Sequence, residues 1–116
     1  MSVEEFAKEY GISIVVCAEQ NNKEFNVIKS DSELEKSDLF KQLIVYNSTD
    51  NLLESIKGQM LPRIWTHDDV KCVMSKPNEE QVVAVFYKSN MDARGNYFFA
   101  KQLDEKIKEI VLVTLD

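Results

Sequence analysis

Apolar residues run almost without interruption from Ile12 to Ala18 and again from Val82 to Tyr87. A strand with one solvated face alternates apolar and polar positions, so unbroken β-branched runs of this length predict strands covered on both faces. Between the runs the pattern changes. Gln20-Asn21-Asn22-Lys23 supplies turn chemistry and Phe25 to Ile28 resumes with polar residues interleaved, which predicts a hairpin partner for the first strand. Ser30-Asp31-Ser32-Glu33 offers helix caps ahead of Leu34, Leu39 and Leu43, while Leu43-Ile44-Val45-Tyr46 fits a buried helix or a short strand equally well. Asn47-Ser48-Thr49-Asp50 then precedes Leu52, Leu53, Ile56, Met60 and Ile64, an amphipathic stripe with Pro62 near its end.

Val70, Cys72 and Met74 alternate with Lys71, as in a strand with one buried face, and this is read as a sheet edge. Pro77 to Glu80 forms a turn into the second apolar run. Tyr97-Phe98-Phe99-Ala100 is read as a fifth strand, with a helix starting at Asp92 as the rival parse. Leu103, Ile107, Ile110 and Val111 define a closing helix. The expected class is α+β, a five-stranded antiparallel sheet with crossover and terminal helices, in a single domain over residues 1–116.

In its order of elements, short helix, hairpin, helix, three antiparallel strands, helix, the chain resembles the profilin-like layout, and among those families the roadblock/LC7-like domains. The resemblance rests on this order over nearly the whole chain and on no sharp motif. It implies a non-catalytic dimerising scaffold of the kind that regulates small GTPases or motor assemblies. It also implies a dimer face on the crossover helix and the strand after it, here Leu52, Ile56, Met60 and Val70, Cys72, Met74.

Composition narrows the function further. The 116 residues are 44% apolar and 29% charged, as in a globular protein. The net charge of −6 arises mostly in residues 1–58, with 6 Lys/Arg against 11 Asp/Glu, while residues 59–116 hold 8 against 9. Lys101, Lys106 and Lys108 are interleaved with acids, so no phosphate-binding footprint is expected and nucleic acid is excluded as a partner. No apolar stretch reaches the roughly 20 residues that a membrane span needs, and the first eleven residues do not read as a secretion signal. Cys17 and Cys72, both inside apolar strand patterns, read as buried thiols of a cytoplasmic protein.

Chemistry is sparse. His67-Asp68-Asp69 lies near Cys72, but no second histidine exists to complete a metal site, and a turn is the simpler reading. With three glycines, and none flanking Arg94-Gly95-Asn96 as a phosphate loop requires, nucleotide binding is not expected. Trp65, between Arg63 and His67, is a candidate binding anchor as well as a candidate core residue. The expectation is therefore a non-enzymatic protein-interaction or regulatory domain with no cofactor, a homodimer whose partner is another protein. Two alternatives stand beside it: a small-molecule sensor with a pocket between sheet and helix, and an acidic inhibitor using Asp31 to Asp38 against a basic target.

Overall fold

The two unbroken apolar runs form neighbouring interior strands. In the computed structural model, which describes residues 2–110, β1 (Ile14–Glu19) pairs antiparallel with β5 (Gln81–Lys88), and every strand of the five-stranded sheet runs antiparallel to its neighbours. The order is β2-β1-β5-β4-β3, with β2 at Asn26–Lys29, β3 at Arg63–His67 and β4 at Val70–Asn78. Alternate residues of the interior strands enter two cores. Ile14, Val16, Cys72, Met74, Ala84 and Phe86 face the crossover segment, and Val15, Cys17, Val73, Val83, Val85 and Tyr87 face the terminal helices. Burial on both faces is why these strands carry no polar alternation.

The terminal layer consists of α1 (Val3–Tyr10) and α4 (Ala93–Ile110). Ser2 caps α1 by accepting a bond from the Glu5 amide at 3.1 Å. Gly11 ends the helix at φ +68°, where a side chain is disfavoured, and the Ile12 amide returns to the Ala7 carbonyl at 2.8 Å. Helix α4 is fastened to the sheet by two buried polar contacts. Tyr87 donates its hydroxyl to Asn96 Oδ1 at 2.9 Å, and Ser75 donates to the Asp104 carboxylate, which also pairs with Lys108 at 3.2 Å.

The crossover layer is irregular. A 3₁₀ turn (Leu34–Lys36), one α turn, α2 (Asp38–Phe40), and a π-helical turn (Lys41–Val45) follow one another, and the Tyr46 amide reaches back five residues to the Lys41 carbonyl at 2.8 Å. This resolves the ambiguity of Leu43 to Tyr46 as neither a regular helix nor a strand. Leu34, Leu39, Phe40 and Ile44 are buried against the sheet, and Phe40 meets Phe86 edge to face at 5.1 Å. Helix α3 (Thr49–Ile56) then starts at Ser48, whose hydroxyl accepts from the Asn51 amide, and Thr49 anchors it to the β1–β2 loop through a 2.6 Å bond to the Asn22 carbonyl.

Four sequence expectations are corrected. Tyr97 to Ala100 is helical, because Asp92 caps α4 by accepting from the Gly95 amide at 2.8 Å. Its buried set, Asn96, Ala100, Leu103, Asp104 and Ile107, has helical spacing. The fifth strand is Arg63–His67. Strand β4 therefore lies inside the sheet rather than at its edge, and Lys71 is buried there with its ammonium donating to the Asp68 carbonyl at 3.1 Å. The helix expected to reach Ile64 stops at Ile56, and Gly58 turns the chain away at φ +77°. Pro77 lies in β4 instead of the turn, at a bulge between Ser75 and Asn78 where a missing amide is tolerated. Val111, expected in the closing helix, lies outside the described residues.

Candidate functional site

The edges of the sheet are β2 and β3, and only β3 is built as an open template. Its five residues pair with β4 in continuous register, Arg63 with Met74 through His67 with Val70. Asp68-Asp69 forms a two-residue turn, with Asp68 in the left-handed region at φ +56°. Such a turn closes on a pair that exchanges both backbone bonds, so the His67 amide faces β4. By alternation, the N–H and C=O groups of Ile64 and Thr66 point outward, where the sheet ends.

Both faces of β3 contribute apolar surface beside those outward groups. Ile64 is half-buried against the terminal helices and Trp65 against the crossover core. The Arg63 guanidinium lies 4.9 Å from the centre of the Trp65 ring, holding it at the rim of the core. Trp65 is thus both a core residue and an edge residue. Preceding β3, Met60 is 92% exposed, and in the crossover segment Tyr46 is 76% exposed beside an exposed Val45.

The opposite edge is protected. Strand β2 has four residues, its register against β1 is broken by a bulge at Val15/Val16, and Lys29 turns inward to donate to the Ser13 carbonyl at 3.3 Å. Short length, a bulge and an inward lysine are devices that keep an edge from recruiting another strand.

Of the residues expected at an interface, Leu52, Ile56, Val70, Cys72 and Met74 are all buried in the crossover-side core, and Met60 alone is open to solvent. The stripe on α3 packs on its own sheet. The strand after the crossover is Arg63–His67, so the edge belongs to Ile64, Trp65 and Thr66. A readable signal for it existed: Trp65, Thr66 and Val70 are β-formers flanking a two-residue acidic turn.

Neither a family model nor a curated protein matches the sequence. Among solved structures, Myxococcus xanthus MglB is similar to this chain with a TM-score of 0.52 at 13% sequence identity, over 91% of this chain and 88% of that one. The fold is roadblock-like. MglB is a roadblock/LC7-family protein, and at this identity the likeness establishes the roadblock-like fold alone.

Other chemistry is limited. Among the described residues no three His, Cys, Asp or Glu side chains gather as metal ligands, and no helix is long and apolar enough to cross a membrane. His67 is exposed, 3.8 Å from Asp68, while Cys72 is buried. Burial raises the Cys17 thiol to about 12, with Glu19 adding to the shift, and raises Cys72 well above the ordinary thiol range. Neither is poised as a nucleophile. Between α3 and the β4–β5 hairpin lies an open groove lined by Asp50, Leu53, Glu54, Lys57, Lys76 and Glu79. Its charges are mixed and it lies open to solvent.

Proposed function

We propose that this chain is a non-enzymatic, cytoplasmic regulatory or interaction domain that self-associates through the outward edge of β3 and, as a homodimer, engages another protein. The observation that carries the reading is the contrast between an open β3 and a protected β2. An unpaired, bulge-free edge with half-buried apolar residues on both faces is a liability unless something covers it, and a second copy related by a two-fold axis covers it with no further component. Antiparallel pairing of β3 with its copy joins two sheets into one. The dimer face proposed here keeps Met60 and the roadblock-like topology and takes in Trp65, the candidate binding anchor. It replaces the buried Leu52, Ile56, Val70, Cys72 and Met74 with Ile64 and Thr66.

Thr66→Pro tests it. Thr66 is exposed and its amide faces outward, so proline removes a donor from the proposed intermolecular ladder and none from the pairing with β4. Light scattering across a micromolar concentration series is expected to give twice the chain mass for the wild type and the chain mass for the variant, with closely similar melting temperatures. A wild type that stays monomeric throughout would refute the proposal.

A further inference from the structure

The first half of α4 carries a second exposed apolar surface that the self-association reading does not use. Tyr97 and Phe98 are 50% and 55% exposed, and Met91 stands exposed just before the helix. They lie off the buried stripe Asn96, Ala100, Leu103, Asp104 and Ile107, so packing against the sheet does not explain them. Each ring is attended by a cation: the Arg94 guanidinium lies 5.7 Å from the Phe98 ring centre, and the Lys101 ammonium 5.6 Å from that of Tyr97. The two rings meet edge to face at 5.8 Å. Neither Arg94 nor Lys101 pairs with a carboxylate among the described residues, whose ion pairs involve His67, Lys76, Lys106 and Lys108.

Charge sets this surface apart from the rest of the chain. The whole sequence carries −6, yet residues 88–101 hold Lys88, Arg94 and Lys101 against Asp92, whose carboxylate is engaged by the Gly95 amide; Glu105 lines the groove between Met91 and Phe98, beyond Lys101. A Cβ at Gly95 would sit 3.2 Å from Asp92 Oδ1 and 3.5 Å from the Met91 Cβ, so glycine here leaves room for the Asp92 cap beside Met91.

We infer that the Met91, Arg94, Tyr97, Phe98, Lys101 surface of α4 docks a protein partner through a short acidic segment bearing a large apolar side chain. The apolar residue enters the groove beside Phe98, and the acids meet Arg94 and Lys101, which the cation–π contacts hold in place over the rings. A lipid surface is the less favoured occupant, because electrostatic docking to an anionic membrane takes a cluster of roughly four to eight basic residues and this face presents only Arg94 and Lys101.

A random dodecapeptide display library panned against the full chain tests this, with counter-selection on a Phe98→Ala chain. Enriched peptides are expected to be acidic and to carry Phe, Leu or Trp. Their affinity by fluorescence polarisation is expected to fall about tenfold or more in Phe98→Ala and in Arg94→Glu/Lys101→Glu, and to weaken with added salt. All substitutions are at exposed positions, and circular dichroism checks that the fold is retained. Enrichment of neutral or basic peptides, no peptide surviving counter-selection, or binding indifferent to either variant would overturn the inference. So would Phe98-dependent binding to phosphatidylserine vesicles in the absence of peptide binding, which would assign the surface to a membrane. The outcome does not depend on whether β3 self-pairs.

Discussion

The two edges of this sheet solve the same physical problem in opposite ways. Both β2 and β3 end with unpaired backbone groups, yet β2 is shortened, bulged and closed by Lys29, whereas β3 runs in continuous register with Ile64 and Trp65 half-buried beside its free groups. An edge can be protected by its own sequence or left for a partner. When one molecule does both, the unprotected side is where association is to be sought.

The comparison is sharpest when one strand inward is set against the edge itself. The Lys71 amide, next to the His67–Val70 pair, faces β5, so Lys71→Pro removes an interior ladder bond and displaces a buried side chain. We expect loss of cooperative folding by chemical denaturation, in contrast to Thr66→Pro. A folded Lys71→Pro protein would contradict the interior placement of β4.

A smaller effect is expected where α4 holds the β3–β4 half of the sheet. Asp104→Ala leaves the buried Ser75 hydroxyl without its acceptor and frees Lys108, at an expected cost of about 1–3 kcal/mol read from the urea midpoint. A midpoint unchanged from the wild type would show that the contact does not fasten the helix.

The two cysteines report on the two edges separately, since Cys17 lies opposite Asn26 of β2 and Cys72 opposite Trp65 of β3. In single-cysteine variants at neutral pH, thiol labelling is expected to slow with rising protein concentration for Cys72 and to be independent of it for Cys17. Their titration also sets a pH dependence. A thiol whose folded pKa is raised favours the protonated form in the fold, so its contribution is fully present below the unfolded value of 9.0 and is lost as pH rises toward about 12 for Cys17. Urea midpoints between pH 8 and 11 should fall less steeply in Cys17→Ala than in the wild type. Equal slopes would count against burial of that thiol.

The smallest change is expected at β2. Lys29→Thr removes the inward lysine but leaves the bulge, so stability should shift by less than about 1 kcal/mol and the solution mass should not change. A rise in mass would mean that the lysine, and not the bulge, protects that edge.

What could be read from the sequence follows the same division. Strands β1 and β5 were legible because burial on both faces leaves no polar alternation to confuse. Strand β3 is not legible, because Ile64 falls at the helical spacing of Leu52, Ile56 and Met60 and so reads as the end of that stripe, while Arg63, Thr66 and His67 are polar and exposed. The start of α4 was misread because Phe98 and Phe99 carry high β-propensity. The deciding signals, the Asp92 cap and the spacing from Asn96 to Ile107, are polar or extend beyond the local window. The π turn at Lys41–Val45 leaves no regular period to detect. The dimer face expected from the topology falls on buried residues for two reasons: without β3 the edge moves one strand inward, onto Val70, Cys72 and Met74, and the α3 stripe of Leu52 and Ile56 packs on its own sheet.

Amide hydrogen exchange at Ile64 and Thr66 tests the central claim most directly. In a free monomer these two outward amides of β3 exchange rapidly while those of Trp65 and His67, facing β4, are protected. Self-pairing predicts that Ile64 and Thr66 become protected as protein concentration rises, and that Thr66→Pro abolishes the protection at Ile64. Rapid exchange at both positions at every concentration, with β4 protected throughout, would contradict it.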